Sequence, residues 1–264
     1  MRRRFFVDGF EGGSAILSGE AAHHLGRVLR AESGQVYELS DGEAVWLART
    51  ESVGRDEIRF TLIERLPAHA APVRIALLLA VVKFDRFEWA IEKATELGAD
   101  EIVPLAANRS EKGLLAAASK RAQRWERILT ESAQQARRLR VPVLRQAANP
   151  REAFRDVSAQ VRLLLSERVG ATPMRDLLEP AAAAVRAEGA TSVAIAIGPE
   201  GGWTDAEFSA GESAGFKEAA LGINILRTET AVCAALAAVQ YAFGAFRHGN
   251  DLQNLETRLH NEQA

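Results

Sequence analysis

The run VRIALLLAVV at residues 73–82 constrains the fold most, because nearly all of its side chains are apolar. A strand that is apolar on both sides is typical of a parallel sheet covered by helices on both faces. Residues 84–97 follow with apolar side chains at helical spacing. This succession of strand and helix predicts an α/β domain.

The same alternation continues towards residue 248. Further strands are predicted at 101–105, 161–165, 191–197 and 217–221, with a long helix around Trp125 and a last helix over about 228–246. Five strands separated by helices favour a parallel sheet. Asp85 and Glu88 have the spacing of a capping box at the start of the first helix. We therefore predict a domain over 73–248, after a linker at 66–72 and before a polar tail over 249–264.

The segment over residues 1–68 has a different pattern, made of short strands. Asp41-Gly42 lies between two apolar segments and predicts a tight hairpin, and a second hairpin is predicted before residues 58–62. Residues 20–30 suit a short helix capped by Ser18. Several short strands at this spacing predict a small β-barrel domain.

Composition excludes several classes of protein. The net charge is −2 and the pI is near 6.3, so any nucleic-acid surface must be local. The single cysteine, Cys233, rules out an internal disulfide, and the five histidines lack the spacing of metal ligands. No P-loop and no Gly-x-Gly-x-x-Gly after a strand is present. We find neither a signal peptide nor a membrane-spanning stretch, and expect a cytoplasmic protein without metal.

Basic residues nevertheless cluster in three places. Residues 119–145 carry a net charge of +6. Arg3 and Arg4 precede the first strand, and His24, Arg27 and Arg30 fall within about two turns of the predicted short helix. Arginines in such clusters are suited to grip phosphates. The alternative is a solvated helix face and a frayed terminus.

The stretch over residues 195–231 contains two apolar strands that each end in a glycine turn. One turn is GPEGG at 198–202, and the other begins at Gly222. Parallel strands end at the same edge of a sheet, so two such turns side by side form a cradle for a small ligand. A tight turn alone also requires glycine for backbone reasons.

Three segments resemble one family in the same order: FDRFEWAIEKATELG at 84–98, IGPEGG at 197–202 and LGxxILRTETA at 221–231. It is the ribosomal RNA small subunit methyltransferase E family of the SPOUT superfamily. The resemblance covers essentially the whole chain. It implies a homodimer that uses S-adenosylmethionine to methylate N3 of one uridine in 16S rRNA of the small ribosomal subunit. It also implies a trefoil-knotted parallel sheet and an N-terminal PUA-like barrel.

The resemblance also implies roles for individual residues. Two glutamates, Glu200 and Glu229, are candidate bases, because a neutral imide nitrogen must lose its proton before it accepts a methyl group. Arg227 is a candidate anion stabiliser or phosphate clamp. Thr228 or Thr230 alternatively caps the last helix. The implied cofactor-binding residues are Ile197, Gly198, Pro199, Gly201, Gly202, Leu221, Gly222, Ile225, Leu226, Thr228, Thr230 and Ala231.

Four basic residues of the second domain are expected to contact RNA: Lys83, Arg86, Arg109 and Arg138. Arg86 alternatively pairs with Asp85 or Glu88. Positions that depart from the family pattern are Phe84, Asn108, Ala136, Arg137 and Asn224.

Two other functions stay open at this point. One is a knotted methyltransferase that acts on tRNA or 23S rRNA, and the other is a non-catalytic RNA-binding protein. The Ala-rich last helix suits either a dimer contact or the domain's own core.

Overall fold

A computed structural model describes residues 3–68, 71–188 and 191–244, so the predicted tail over 249–264 lies outside the described residues. The described chain forms one sheet of five strands and one of seven. Strand β5 of the first sheet ends at Leu66, and β6 of the second begins at Val73. No described helix is both long enough and apolar enough to cross a membrane.

The N-terminal sheet has the strand order β1-β3-β4-β5-β2. Its strands are β1 (Arg4–Phe6), β2 (Ser14–Ser18), β3 (Val36–Ser40), β4 (Val45–Val53) and β5 (Glu57–Leu66). The two edge strands place Phe5 and Leu17 in the same apolar core, with Phe60 between them in the sheet order. The sheet therefore curls around that core as a half-barrel, which agrees with the predicted small barrel.

Local features of this sheet confirm one prediction and correct another. The predicted hairpin joins β3 to β4, and Asp41 Oδ1 accepts hydrogen bonds of 2.8 Å from the backbone N–H groups of Glu43 and Ala44. The predicted helix over 20–30 is instead α1 (Gly19–His23) followed by a π-helical turn (His24–Val28). Ser18 is the N-cap residue of α1, as predicted, but its side chain makes no capping hydrogen bond.

The second sheet is parallel throughout, in the order β10-β12-β9-β11-β6-β7-β8. The strands are β6 (Val73–Ala80), β7 (Glu101–Leu105), β8 (Val143–Leu144), β9 (Val161–Leu165), β10 (Thr172–Pro173), β11 (Thr191–Ile197) and β12 (Lys217–Ala220). The five predicted strands are present. Strands β8 and β10 were missed because two residues are too few to show a periodic pattern.

Helices cover both faces of this sheet, as the buried strands required. They are α2 (Phe84–Glu96), α3 (Lys112–Ala118), α4 (Ala122–Gln135), α5 (Pro150–Asp156), α6 (Met174–Glu188), α7 (Asp205–Ser213) and α8 (Thr228–Phe243). One face packs α2, α4 and α8 through residues such as Phe87, Trp125 and Leu236. The other packs Phe154 against Trp203 and Phe216.

The predicted capping box at the start of α2 was wrong. Lys83 is the N-cap residue, and no side chain caps the helix. Glu88 instead lies buried under α4, with its carboxylate 3.1 Å from Arg121 Nη1 and 2.8 Å from Arg124 Nε. Because α4 packs directly on α2, two charges of the basic region at 119–145 neutralise a carboxylate of the protein itself.

Candidate functional site

A cavity of about 570 Å³ lies where the carboxyl ends of β9, β11 and β12 meet. This edge is where ligands bind in open α/β sheets. Three loops line the cavity, together with Arg109, Phe208 and the start of α8. From the predicted site residues it brings together Ile197, Gly198, Pro199, Glu200, Gly201, Gly202, Leu221, Gly222, Ile225, Leu226, Arg227, Thr228 and Ala231.

The loop after β11 packs tightly because of two glycines. A Cβ atom at Gly198 would lie 3.0 Å from the indole Cε2 of Trp203, which is a buried side chain. The indole is fixed in turn, since its Nε1 donates a 3.0 Å hydrogen bond to the carbonyl of Leu165. A Cβ atom at Gly201 would lie 3.2 Å from Cβ of Arg109. Side chains at these positions would displace the walls of the cavity.

The loop after β12 forms the opposite wall and leads into α8. Leu221 and Leu226 are half-buried against the core, whereas Ile225 is 78% exposed at the cavity rim. Thr228 does not cap α8. Its hydroxyl donates a 3.2 Å hydrogen bond to the carbonyl of Gly198, and the N-cap is Arg227, whose side chain makes no capping bond. The hydroxyl therefore ties the two loops together, and the prediction that Thr228 or Thr230 caps the helix was wrong.

Arg86 connects the two candidate bases. Its Nη1 lies 2.6 Å from Glu200 Oε1, and its Nε lies 4.0 Å from Glu229 Oε1. The predicted alternative, a pair between Arg86 and Asp85 or Glu88, is replaced by this arrangement. Glu200 lines the cavity with 46% of its side chain exposed, whereas Glu229 is 16% exposed and lies outside the lining. The second carboxylate oxygen of Glu229 is buried without a hydrogen-bond partner among the described residues.

Arg109 and Arg227, two of the predicted cations, also line the cavity, whereas Lys83 lies outside its lining. Arg109, on the loop after β7, donates a 2.8 Å hydrogen bond from Nη1 to the carbonyl of Gly201. Lys83 is exposed at the start of α2, and Arg227 is exposed at the start of α8. Thr230 is exposed one turn into α8 and does not line the cavity.

The cations predicted in the N-terminal domain form a separate group. Arg27 and Arg30 are exposed, His24 is half-exposed, and Arg3 is exposed before β1. Three of the four belong to the π-helical turn or the residues directly after it, where Arg30 has a φ of +52°. None of them lines the cavity.

Two predicted RNA contacts, Arg4 and Arg138, are corrected by the structure. Arg138 is 14% exposed, and its guanidinium donates to the carbonyls of Thr95 and Ala99 and to Asp100 Oδ1. Burial lowers the pKa of Arg138, and the neighbouring Asp100 opposes that shift. The guanidinium of Arg4 is similarly enclosed, 12% exposed and 2.9 Å from Glu38. Both guanidinium groups are bound by other groups of the protein, so we no longer assign these two arginines to RNA binding.

Sequence reasoning missed part of the cavity wall. The missed residues are Leu165, Ser166, Glu167, Arg168, Trp203, Phe208, Ala219, Ile223 and Asn224. A signal for the first four was available: Leu165 ends a strand that was predicted correctly, the other three follow it, and ligand sites in parallel sheets lie at carboxyl ends. Asn224, one of the departures from the family pattern, lies in the wall itself.

No cluster of three or more metal-ligating side chains occurs within residues 3–68, 71–188 and 191–244. Cys233 is half-buried on α8, and burial raises the pKa of its thiol. A raised pKa is the opposite of what a nucleophilic cysteine requires.

Comparison with known proteins identifies the family. Residues 69–240 match the RNA methyltransferase domain. Over 244 residues the chain is 31% identical to the ribosomal RNA small subunit methyltransferase E of Mycobacterium bovis, covering 89% of this chain and 90% of that protein. The chain belongs to the ribosomal RNA small subunit methyltransferase E family.

Solved structures agree with this family assignment. The methyltransferase E of Neisseria gonorrhoeae, bound to S-adenosylmethionine, superposes with a TM-score of 0.79 at 28% identity and covers 91% of this chain and 98% of its own. A methyltransferase from Legionella pneumophila, in complex with the same cofactor, has a TM-score of 0.79 at 30% identity and covers 92% and 98%. These likenesses confirm the predicted fold class, a SPOUT α/β-knot domain with a smaller N-terminal β-domain.

Proposed function

We propose that this protein uses S-adenosylmethionine to methylate N3 of one uridine in 16S rRNA of the small ribosomal subunit. One observation carries the proposal: two glycine loops at neighbouring strand ends enclose a cavity and are joined by the hydrogen bond from Thr228 to Gly198. The relatives that match over most of their length are named as small-subunit rRNA methyltransferases. We extend to this chain the cofactor bound by its structural relatives.

The residues present fit that cofactor. The cavity volume of about 570 Å³ falls within the range of small-molecule sites. Leu221 and Leu226 supply apolar surface, and Gly198 and Gly201 let backbone groups reach the edges of a ligand without an intervening side chain. The cofactor-binding set is then Ile197, Gly198, Pro199, Gly201, Gly202, Leu221, Gly222, Ile225, Leu226, Thr228 and Ala231. Thr230 leaves that set because it lies outside the cavity.

The bound cofactor supplies an electrophilic methyl group, and the protein must remove the proton from the uracil nitrogen. We assign Glu200 as the proton acceptor, because its carboxylate lines the cavity and Glu229 does not. Arg86 and Glu229 then hold Glu200 in place through the contacts of 2.6 and 4.0 Å. We assign Arg227, which is exposed and lines the cavity, to stabilise the developing imide anion.

The RNA is proposed to run from the N-terminal domain to the cavity. Arg109 and Arg227 at the cavity, and Lys83 at the start of α2, are exposed cations suited to phosphates. On the N-terminal domain the proposed contacts are Arg3, His24, Arg27 and Arg30. Because these contacts are electrostatic, we expect binding to weaken steeply as salt is raised.

We also propose a homodimer that acts in the cytoplasm, where its rRNA substrate is made. Apolar side chains are exposed near the cavity rim and along α8, with Ile223 101% and Tyr241 78% exposed. We propose that these exposed apolar side chains contribute to the contact between the two copies. Light scattering during gel filtration should give about twice the chain mass of 28.7 kDa; a single-chain mass would refute the dimer.

Transfer of a labelled methyl group tests the function. The protein is incubated with labelled S-adenosylmethionine and, in parallel, with intact small subunits, naked 16S rRNA, large subunits and tRNA. We expect labelled methyl groups only in the sample with intact small subunits or in the sample with naked 16S rRNA. Label in tRNA or the large subunit would establish the alternative substrate. Cofactor binding without transfer to any RNA, or no cofactor binding at all, would favour a non-catalytic RNA-binding protein.

A further inference from the structure

A charged joint connects the N-terminal sheet to the end of α4. Glu38 on β3 lies between two arginines, with its carboxylate 2.9 Å from Arg4 Nη2 and 3.4 Å from Arg137 Nη1. The exposed fractions are 9% for Glu38, 12% for Arg4 and 23% for Arg137. A buried carboxylate is tolerated only when its charge is compensated. Here part of the compensation comes from the other domain.

The backbone at Arg137 is shaped for this joint. Its φ is +52°, a left-handed conformation that favours glycine and strains other residues. In that conformation its carbonyl accepts a 2.7 Å hydrogen bond from Arg4 Nη1, while its own guanidinium faces Glu38. A strained backbone conformation persists only where the surrounding contacts hold it in place. Both the carbonyl and the guanidinium of Arg137 thus contact the N-terminal domain.

The residues after Arg137 extend the joint along the turn that follows β3. Ser40 Oγ donates a 2.8 Å hydrogen bond to the carbonyl of Leu139, and Arg140 Nε donates to the carbonyl of Gly42. Leu139 also packs on a small apolar cluster of the N-terminal sheet, made by Val45, Leu47 and Leu66. Ionic, hydrogen-bonded and apolar contacts therefore hold Arg137, Leu139 and Arg140 against the N-terminal domain.

Continuous packing leads from this joint to the cavity. Helix α4, which ends at the joint, stacks Trp125 on Phe87 of α2 with ring centres 4.5 Å apart. The first turn of α2 carries Arg86, which contacts Glu200 at 2.6 Å. The joint thus fastens the N-terminal domain to the helix pair that positions the charged group at the cavity.

We propose that Glu38 and Arg137 are positioning residues that fix the N-terminal domain, so that RNA bound to it enters the cavity at a set distance and angle. Domains joined by a linker move relative to each other unless an interface restrains them. A fixed distance between the RNA-binding surface and the cavity would select RNAs whose target base lies at that distance. This inference rests on the proposed function, because the RNA surface is itself part of that proposal.

Two variants release the joint in different ways. Arg137→Gly removes the guanidinium but suits a φ of +52°, so the backbone of the α4 end is relieved rather than strained. Glu38→Gln removes the central charge and keeps the shape of the side chain. Arg175→Ala is the control, because it also removes one arginine, from an exposed pair with Asp176 on α6. If Glu38→Gln does not fold, Arg137→Gly still provides the test.

The test combines small-angle X-ray scattering with steady-state kinetics on full-length protein and intact small subunits. We expect both variants, but not Arg175→Ala, to show a larger radius of gyration. We also expect a KM for the small subunit raised about tenfold or more, with kcat and cofactor affinity within about twofold, because the joint acts on RNA placement and not on the chemistry. Scattering identical to that of the wild-type protein would refute the claim that Glu38 and Arg137 hold the two domains together. Displaced domains with an unchanged KM would overturn the positioning role.

The proposed function can fail separately from this inference. If wild-type protein transfers no methyl group to any RNA, the proposed function is refuted. The scattering comparison does not depend on activity, and it still shows whether Glu38 and Arg137 hold the two domains together.

Discussion

The hydroxyl of Thr228 donates a 3.2 Å hydrogen bond to the carbonyl oxygen of Gly198, and this bond joins the two loops that form the cavity. Thr228 is 5% exposed, so water does not replace the bond when the hydroxyl is removed. The hydroxyl of Thr228, at the start of α8, therefore contributes to the spacing between the loops and to the shape of the cavity.

Thr228→Val keeps the branched shape and removes the hydroxyl. We expect the free energy of unfolding to fall by about 1 kcal/mol, since a buried carbonyl loses its partner. We also expect the dissociation constant for S-adenosylmethionine to rise several-fold by calorimetry, because the loops separate. Thr130→Val is the matched control: Thr130 donates to the Glu126 carbonyl on the exposed face of α4. Equal cofactor affinities for both variants would show that the bond does not shape the cavity.

Glu200→Gln and Glu229→Gln distinguish the base from its neighbour. A general base accelerates a reaction by about 10²–10⁴-fold, so Glu200→Gln should lower kcat by at least about 100-fold while cofactor affinity is retained. Glu229→Gln changes only the residue behind Arg86, and we expect a smaller fall, of about tenfold or less. The single-turnover rate of methyl transfer to small subunits measures the effect of each substitution. The reverse order of effects would move the assignment to Glu229.

Arg138→Ala tests whether this arginine is structural. Its removal leaves the carbonyls of Thr95 and Ala99 without this donor, and we expect urea unfolding to show a loss of about 3 kcal/mol. The salt dependence of RNA binding should stay unchanged, whereas Arg109→Ala should reduce the salt slope by about one. Arg145→Ala, which breaks an exposed pair with Glu101, should change stability by less than about 0.5 kcal/mol. A reduced salt slope in Arg138→Ala would restore it to the RNA-binding set.

Cys233 should react slowly with a thiol reagent in the native protein. Burial raises its pKa above the ordinary value, so less thiolate is present at neutral pH, and the half-buried side chain is harder to reach. We expect several-fold slower reaction with Ellman's reagent at pH 7.5 than for the same protein unfolded in guanidinium. The native rate should rise as the pH is raised towards the pKa. Equal native and unfolded rates at pH 7.5 would contradict a protected thiol.

The sequence predicted the architecture well where local pattern decides structure. The buried run at residues 73–82 and the glycine turns at 198–202 and 222 were sufficient to place a parallel sheet and a cavity at its edge. The sequence predicted the partners of charged side chains less well, because those partners come from distant segments of the chain. Glu88 has the spacing of a capping box, and only the packing of α4 on α2 shows that it pairs with Arg121 and Arg124.

The same limit applies to the arginines predicted to bind RNA. Arg4 and Arg138 occur in basic clusters, and nothing local distinguishes them from Arg3 or Arg109. Arg4 is buried where residues 137–140 dock on the N-terminal sheet, whereas Arg138 is buried by its contacts with Thr95, Ala99 and Asp100. Arg137, one of the departures from the family pattern, has a φ of +52°, a conformation that favours glycine. Its contact with Glu38 could not be predicted, because the two residues are far apart in sequence.

Primer extension on methylated small subunits tests the central claim most directly. An N3 methyl group blocks Watson–Crick pairing, so reverse transcriptase stops next to the modified uridine. We expect a single new stop in 16S rRNA when small subunits are incubated with wild-type protein and S-adenosylmethionine, and no stop with Glu200→Gln. Methyl transfer to 16S rRNA without any stop would contradict methylation at N3, and a stop of equal strength with Glu200→Gln would contradict the proposed base.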